Sequence, residues 1–146
     1  MRVVVGSDHA GFPGKATVIE VLVAELHEVN DIGTYDRAPV DFPDIATRLC
    51  TELQAGRAER GILVCGTGQG AVMAANRFRG IRAGLAHDTY SAHQCVEHDD
   101  ANVLCLGAQI VGPELLKELV RTYLAARWDG TEELRRRVDK LDRLGP

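Results

Sequence analysis

Short β-branched runs alternate along this chain with longer segments of helical period, and few folds accommodate that alternation. Val3-Val4-Val5 reads as a buried strand. Val18, Leu22 and Leu26 recur at helical spacing and mark a first helix. His27 to Ile32 reads as a second strand, ending at Gly33. Ile45, Leu49 and Leu53 mark a second helix, closed by Gly56. Gly61-Ile62-Leu63-Val64-Cys65 is a third strand, Ala71 to Arg77 a helix, and Ile81 to Ala86 a fourth strand. Asp88 or Thr89 caps a short helix running towards Glu97, and Asn102 to Leu106 is a fifth strand. Pro113 suits the first turn of a helix carrying Leu116, Val120, Tyr123 and Leu124. Thr131 caps a last helix, with Glu132 and Glu133 at its positive end and Leu134, Val138 and Leu141 as its apolar stripe.

Strands joined by helices of about 10–15 residues imply βαβ crossovers and a parallel sheet covered on both faces. The fold class is therefore α/β: one three-layer, doubly wound domain over residues 1–146, with a five-stranded parallel sheet and an appended C-terminal helix. A chain of 146 residues can bury about two-thirds of its unfolded surface and needs no staple. No internal repeat, low-complexity stretch or linker interrupts it. In such sheets ligands bind outside the carboxyl ends of the strands, near the topological switch point. Attention falls on Gly6 to Gly11, on Cys65 to Gly70, and on the segment around His98.

Composition removes several function classes. A formal charge of −4 argues against a broad footprint for nucleic acid, although Arg135-Arg136-Arg137 is a local basic patch. No apolar run approaches the roughly 18 residues that span a bilayer. Met1-Arg2-Val3-Val4-Val5-Gly6 is too short an apolar stretch for a signal peptide and reads as the first strand. Cys50, Cys65, Cys95 and Cys105 form no CxxC pair and show no zinc-like spacing. A reducing cytoplasm is the simpler home.

Cys65-Gly66-Thr67-Gly68-Gln69-Gly70 follows a strand and opens a helix. Its glycines let the backbone turn tightly and leave N–H groups free to face an anion, and the helix dipole adds positive potential there. The spacing is not that of a dinucleotide fingerprint, and the phosphate-loop lysine is absent. The loop suits a small anion, or a charge that develops during a reaction. Cys65, beside that helix start, is expected to have a lowered pKa and to serve as a base or nucleophile, against the bland reading of a buried structural cysteine. Thr67 either hydrogen-bonds the sulfur or substrate, or caps the helix. Asp8 and His9 either exchange protons and hold a phosphate, or form a polar turn in which Asp8 caps the next helix. His98 is a general acid–base candidate or a surface histidine. His27, His87 and His93 have no comparable context, and Cys50, Cys95 and Cys105 read as core filling. A base, an acid–base histidine, an aspartate and an anion loop, all expected at one sheet edge, are what moving a carbonyl between C1 and C2 of a sugar requires.

Several segments resemble ribose-5-phosphate isomerase type B, a family that also holds the subunits of galactose-6-phosphate isomerase. They are Gly6-Ser7-Asp8-His9-Ala10-Gly11, Asp31-Ile32-Gly33-Thr34, Asp41-Phe42-Pro43, Gly61 to Gly70, Ala74-Ala75-Asn76-Arg77 and Asn102-Val103-Leu104, in matching order over nearly the whole chain. Moving that carbonyl requires no redox cofactor, and no His, Asp, Glu or Cys cluster has metal-ligand spacing; the resemblance implies an isomerase with a Rossmann-like fold. It implies a homodimer that can pair into tetramers, with each site shared between subunits. Cys65 would move the proton between C1 and C2, helped by Thr67. Gly66, Thr67, Gly68, Gln69 and Gly70 would form the anion hole. His98 would open the furanose ring, aided by Asp8, and His9 would lie near the phosphate. Ala71 stands where some members carry a glutamate, so this chain is of the cysteine type.

The chain departs from that pattern in its phosphate-binding positions. Asp99 follows His98 where asparagine is usual. Gly107-Ala108-Gln109 stands where a phosphate-binding arginine is common. Gly130-Thr131-Glu132-Glu133-Leu134-Arg135-Arg136-Arg137 replaces Gly-Gly-Arg-His-Gln-x-Arg, so a glutamate takes the first arginine's place and Arg136, or Arg137, matches the second. Asp99, Gln109, Arg136 and Arg137 are thus candidate substrate contacts, against the reading of the arginine triplet as a solvated face. The readings left open are an isomerase of ribose 5-phosphate and ribulose 5-phosphate, the same reaction on a tetrose, hexose or other sugar, a non-catalytic sugar-phosphate-binding module, and a cysteine hydrolase.

Overall fold

The computed structural model describes residues 1–144. Five parallel strands form one sheet in the order β2-β1-β3-β5-β4. In chain order the elements are β1 (Arg2–Ser7), α1 (Phe12–Ala24), β2 (Glu28–Asp31), α2 (Phe42–Gln54), β3 (Arg60–Cys65), α3 (Gln69–Ala75), β4 (Ala83–Leu85), α4 (Thr89–Asp99), β5 (Val103–Gly107), α5 (Pro113–Ala125) and α6 (Glu132–Asp142). The period-2 geometry of a strand sends neighbouring side chains to opposite faces. Val3, Val5, Ile62, Val64, Leu104 and Leu106 accordingly pack under α1, α4 and α5. Val4, Leu63, Val103 and Cys105 pack under α2 and α3 on the other face. Both faces are dry, which is why the strands read as unbroken apolar runs rather than alternating ones.

The steps from β1 to β2 and from β4 to β5 run one way across the sheet, through α1 and α4 on one face. The steps from β2 to β3 and from β3 to β4 run the other way, through α2 and α3 on the opposite face. All these crossovers therefore share one hand, as twisted parallel sheets demand. The connections leaving β1 and β3 part to opposite faces, and β1 and β3 are neighbours. Their carboxyl ends bound the crevice in which such folds bind ligands.

Helix starts follow local chemistry. Pro13, Pro43 and Pro113 occupy first-turn positions of α1, α2 and α5. Asp88, rather than Thr89, caps α4: its carboxylate accepts from Ser91 N at 2.7 Å and from Ser91 Oγ at 2.8 Å. Thr131 caps α6, accepting from Leu134 N at 3.4 Å. β4 is an edge strand, and the Asn76 carboxamide pairs with both the N–H and the C=O of Ala83 at 2.9 Å, which blunts that edge.

Two apolar stripes are shorter than their spacing implies. Leu26 lies past the end of α1, with φ +59° and 91% exposed, because the chain must reverse there to enter β2. Leu141, in the last turn of α6, is 48% exposed, whereas Leu134 and Val138 are buried.

Candidate active site

At the carboxyl end of β1 the chain turns through Asp8 to Gly11. At the end of β3 it turns through Cys65 to Gly68. The two turns touch. A Cβ on Gly11 would lie 1.9 Å from the Val64 carbonyl oxygen, and one on Gly66 would meet Ala10 Cβ at 3.3 Å. The closest approach needs a residue without a side chain at position 11, and it brings two other side chains together. The Cys65 thiol donates to Asp8 Oδ2 at 2.9 Å, while Gly11 N donates to Asp8 Oδ1 at 2.8 Å. Asp8 is 7% exposed and Cys65 half-buried.

The loop after Cys65 turns at Gly68, whose φ is +80° and whose missing Cβ would sit 2.5 Å from Leu85 Cδ1. A side chain there is excluded both by conformation and by space. Thr67 Oγ1 accepts from Gln69 N at 3.4 Å, so the hydroxyl serves the start of α3, although the N-cap position itself is Gly68. Gly70 faces the ring of Phe42, and Gln69 is exposed. Gln109 belongs to this same place. Its N–H donates to the Gly66 carbonyl at 2.9 Å, and its carboxamide oxygen lies 2.9 Å from where a Cβ of Gly66 would be.

The thiol runs against the sequence expectation. Its pKa is raised, first by burial, then by the hydrogen bond to Asp8 and by that carboxylate's charge; the N–H groups of Gly68 and Gly66 pull the other way and lose. The helix start acts as expected, but burial and a neighbouring anion both disfavour a thiolate and outweigh it.

His9 is exposed, and its Nδ1 accepts from Val40 N at 3.2 Å. With Nδ1 accepting, the neutral ring carries its proton on Nε2 and presents it outward as a donor. Val40 belongs to the segment that joins β2 to α2, and sequence reasoning missed what holds the start of that segment in place. Lys15 Nζ, on a side chain only 4% exposed, reaches Asp31 Oδ1 at 2.6 Å and donates to the Thr34 carbonyl at 2.5 Å. Asp31 Oδ1 also accepts from Gly33 N at 2.9 Å. A lysine early in α1 looks like any solvated helix residue; only its burial beside Tyr35, whose ring centroid is 4.9 Å away, reveals the anchor. His87 was missed as well: its ring fills the space that Gly107 leaves, with Nε2 2.7 Å from a Cβ built there and, among the described residues, without a hydrogen-bond partner.

His98 is not at this edge. Helix α4 runs antiparallel to the strands, so its last turn returns to their amino ends. There Arg82 Nε donates to the Asp100 carbonyl at 2.9 Å, Asn102 N to the Arg82 carbonyl at 3.0 Å, and Gly61 N to the Asn102 carbonyl at 2.8 Å. His98 contacts Gln94 and Glu97. A strand's length, on the order of 15 Å, separates it from Cys65. Asp99 lines a cavity of about 480 Å³ beside β4, with Arg77, Arg79 and Arg82. The arginine triplet is on α6, which packs on α4. Arg135 stacks on Trp128, Arg137 pairs with Glu133, and Arg136 is exposed. The candidate residues thus form two groups: Asp8, His9, Cys65 to Gly70 and Gln109 at one edge, and His98, Asp99, Arg136 and Arg137 beyond the other. Among the described residues no helix is long and apolar enough to cross a membrane.

Fold and site together define a doubly wound α/β protein with a thiol–carboxylate pair at its switch point, beside a glycine loop suited to anionic oxygen. Residues 3–141 match the Ribose/Galactose Isomerase family, and the chain belongs to it. It is 40% identical over 129 residues to ribose-5-phosphate isomerase B of Escherichia coli (strain K12), covering 88% of this chain and 87% of that one. It is 38% identical over 133 residues to D-erythrulose-4-phosphate isomerase of Pectobacterium atrosepticum, covering 89% and 86%. The crystal structure of a ribose 5-phosphate isomerase from Thermotoga maritima superposes with a TM-score of 0.94 at 39% identity, covering 97% of both chains. The relatives are sugar phosphate isomerases, and this chain is an aldose–ketose isomerase of that kind.

Proposed function

We propose that this chain interconverts ribose 5-phosphate and ribulose 5-phosphate through an enediolate. The observation that carries the reading is the Cys65–Asp8 pair, 2.9 Å apart at the mouth of the glycine loop. Cys65 moves the proton between C1 and C2. The N–H groups of Gly66 to Gly70 face the oxygens on which charge develops, and Thr67 steadies the loop. His9, donating through Nε2, meets the phosphate end. Proton transfer between neighbouring carbons needs no cofactor.

His98 opens the furanose ring in the site of a second copy. The edge-to-edge separation of His98 and Cys65 supports this: neither can serve the other within one chain, whereas a two-fold partner can bring one chain's amino edge to the other's carboxyl edge. Arg136, Arg137 and Asp99, which share the His98 side of the molecule, would arrive with it at the phosphate. The working protein is then a homodimer, able to pair further, and it operates in the cytoplasm.

A second reading keeps the reaction and shortens the sugar. A neutral carboxamide, Gln109, lies against Gly66 where the family resemblance leads one to expect an arginine. The similarity to a D-erythrulose-4-phosphate isomerase points the same way. A tetrose bearing phosphate on O4 cannot close a furanose ring, so its isomerisation would not need His98 for ring opening.

The test is turnover by purified protein of a panel of four- to six-carbon sugar phosphates and free sugars. Ribose 5-phosphate leading the panel, with kcat/KM at or above roughly 10⁴ M⁻¹s⁻¹, supports the first reading. A tetrose phosphate leading supports the second, and no turnover across the panel removes both.

A further inference from the structure

We infer that Asp8 is the proton partner of Cys65: the two side chains work as one acid–base pair, with Asp8 holding the thiol proton while the sulfur works on the substrate. This rests on the isomerase reading above. It gives Asp8 a different task from ring opening, the part implied by family resemblance.

The geometry is direct. The thiol donates to Asp8 Oδ2 at 2.9 Å, and the other carboxylate oxygen is held by Gly11 N at 2.8 Å, so Oδ2 is aimed at sulfur. Asp8 is 7% exposed, which keeps water from displacing the contact. Burial and the carboxylate together raise the thiol pKa, so the resting sulfur carries its proton. A protonated thiol cannot remove hydrogen from carbon. It must first give up that proton, and the group that touches it is the Asp8 carboxylate.

The steps balance. The thiol proton passes from Sγ to Oδ2, leaving a thiolate and a carboxylic acid. The thiolate takes the proton from C2 of the aldose, and the electron pair of that C–H bond forms the C1–C2 double bond as the carbonyl electrons move to O1. The single hydroxyl proton passes from O2 to O1. The electron pair left on O2 forms the C2 carbonyl as the double bond's pair takes the proton back from sulfur, making the new C–H bond at C1. Asp8 then gives the stored proton back to the thiolate. No electron leaves the system and no co-reactant is required.

A carboxylate that merely suppresses the thiolate makes the opposite prediction, and Asp8→Asn separates the two. The amide oxygen still accepts from Gly11 N, while the negative charge beside sulfur is gone. Iodoacetamide labelling of Cys65, read by peptide mass spectrometry at neutral pH, should accelerate about tenfold or more as the thiol acidifies. Turnover of ribulose 5-phosphate, which has no free O5 to form a ring, should nevertheless fall about a hundredfold or more. More thiolate with less turnover is the signature of the pair. Unchanged or increased turnover in Asp8→Asn would overturn the inference and leave the isomerase reading standing. Absence of turnover in the wild type would remove the isomerase reading itself. Labelling of wild-type Cys65 against pH is the second measurement and needs no variant. A midpoint above the ordinary thiol value of about 8.5 supports the pair, and one below it overturns it.

Discussion

The His98 imidazole stands at the amino edge of the sheet and the Cys65 thiol at its carboxyl edge, a strand's length apart on the same chain. If both serve one site, that site spans two copies. Cys65→Ala and His98→Asn chains, each inactive on cyclic ribose 5-phosphate, should then complement when unfolded and refolded together. Half of the dimers are mixed and each has one intact site, so the recovered activity should approach about a quarter of wild type. No recovery, with mixed dimers demonstrated by mass spectrometry, would place both residues' work within single chains.

Gly11 has an ordinary φ of −84°, so its importance is a matter of space rather than conformation. A methyl group there would lie 1.9 Å from the Val64 carbonyl oxygen, a backbone atom that no rotamer change can move. Gly11→Ala should therefore push the Asp8 turn away from β3, costing about 1–3 kcal/mol in urea unfolding. Turnover should collapse in the protein that remains folded. Wild-type activity in Gly11→Ala would show that the close approach of the two turns is dispensable.

Lys15 tests the anchor behind His9. Its ammonium is buried against Asp31 and the Thr34 carbonyl. Lys15→Met keeps most of the volume but leaves Asp31 without its cation, and should destabilise the fold by about 3 kcal/mol. Removing both charges with Asp31→Asn in the same chain should recover part of that loss. A double variant less stable than the sum of the single effects would argue against direct pairing.

The buried thiols set an alkaline limit. Burial pushes Cys50 up to about 12 and Cys95 up to about 11. An acid whose pKa is higher in the folded than in the unfolded chain keeps its proton on folding, so its contribution is complete below the unfolded thiol value of about 8.5. That contribution is lost as pH rises through the folded values. The urea midpoint should hold steady from about pH 7 to 8 and fall progressively above about 9. Cys50→Ala should shallow the fall. A wild-type midpoint that is level to about pH 10.5 would contradict this assignment.

The order of strands and helices was legible because apolar periodicity is a local property, written into each segment. The two turns at the ends of β1 and β3 were legible for the same reason: glycines and polar residues at a strand's end must turn, and in a parallel sheet those ends share one edge. The same rule misled at His98, since the last turn of a helix that runs back against the strands lies at the other edge; what matters is the direction in which α4 runs. Lys15 was invisible because burial of a charge depends on a partner 16 residues away.

Local patterning is therefore enough to specify the α/β class, the parallel sheet, and the chemistry available in Asp8, His9, Cys65 and the glycine loop. Which of these groups meet is settled by long-range packing. The strand order β2-β1-β3-β5-β4 makes β1 and β3 neighbours and sets Asp8 against Cys65 across 57 positions of sequence. Burial of the thiol, and after it that contact, reverse the direction in which the thiol pKa moves, because electrostatics depends on exclusion of water and on distance through space, and neither quantity is written in any single segment of the chain.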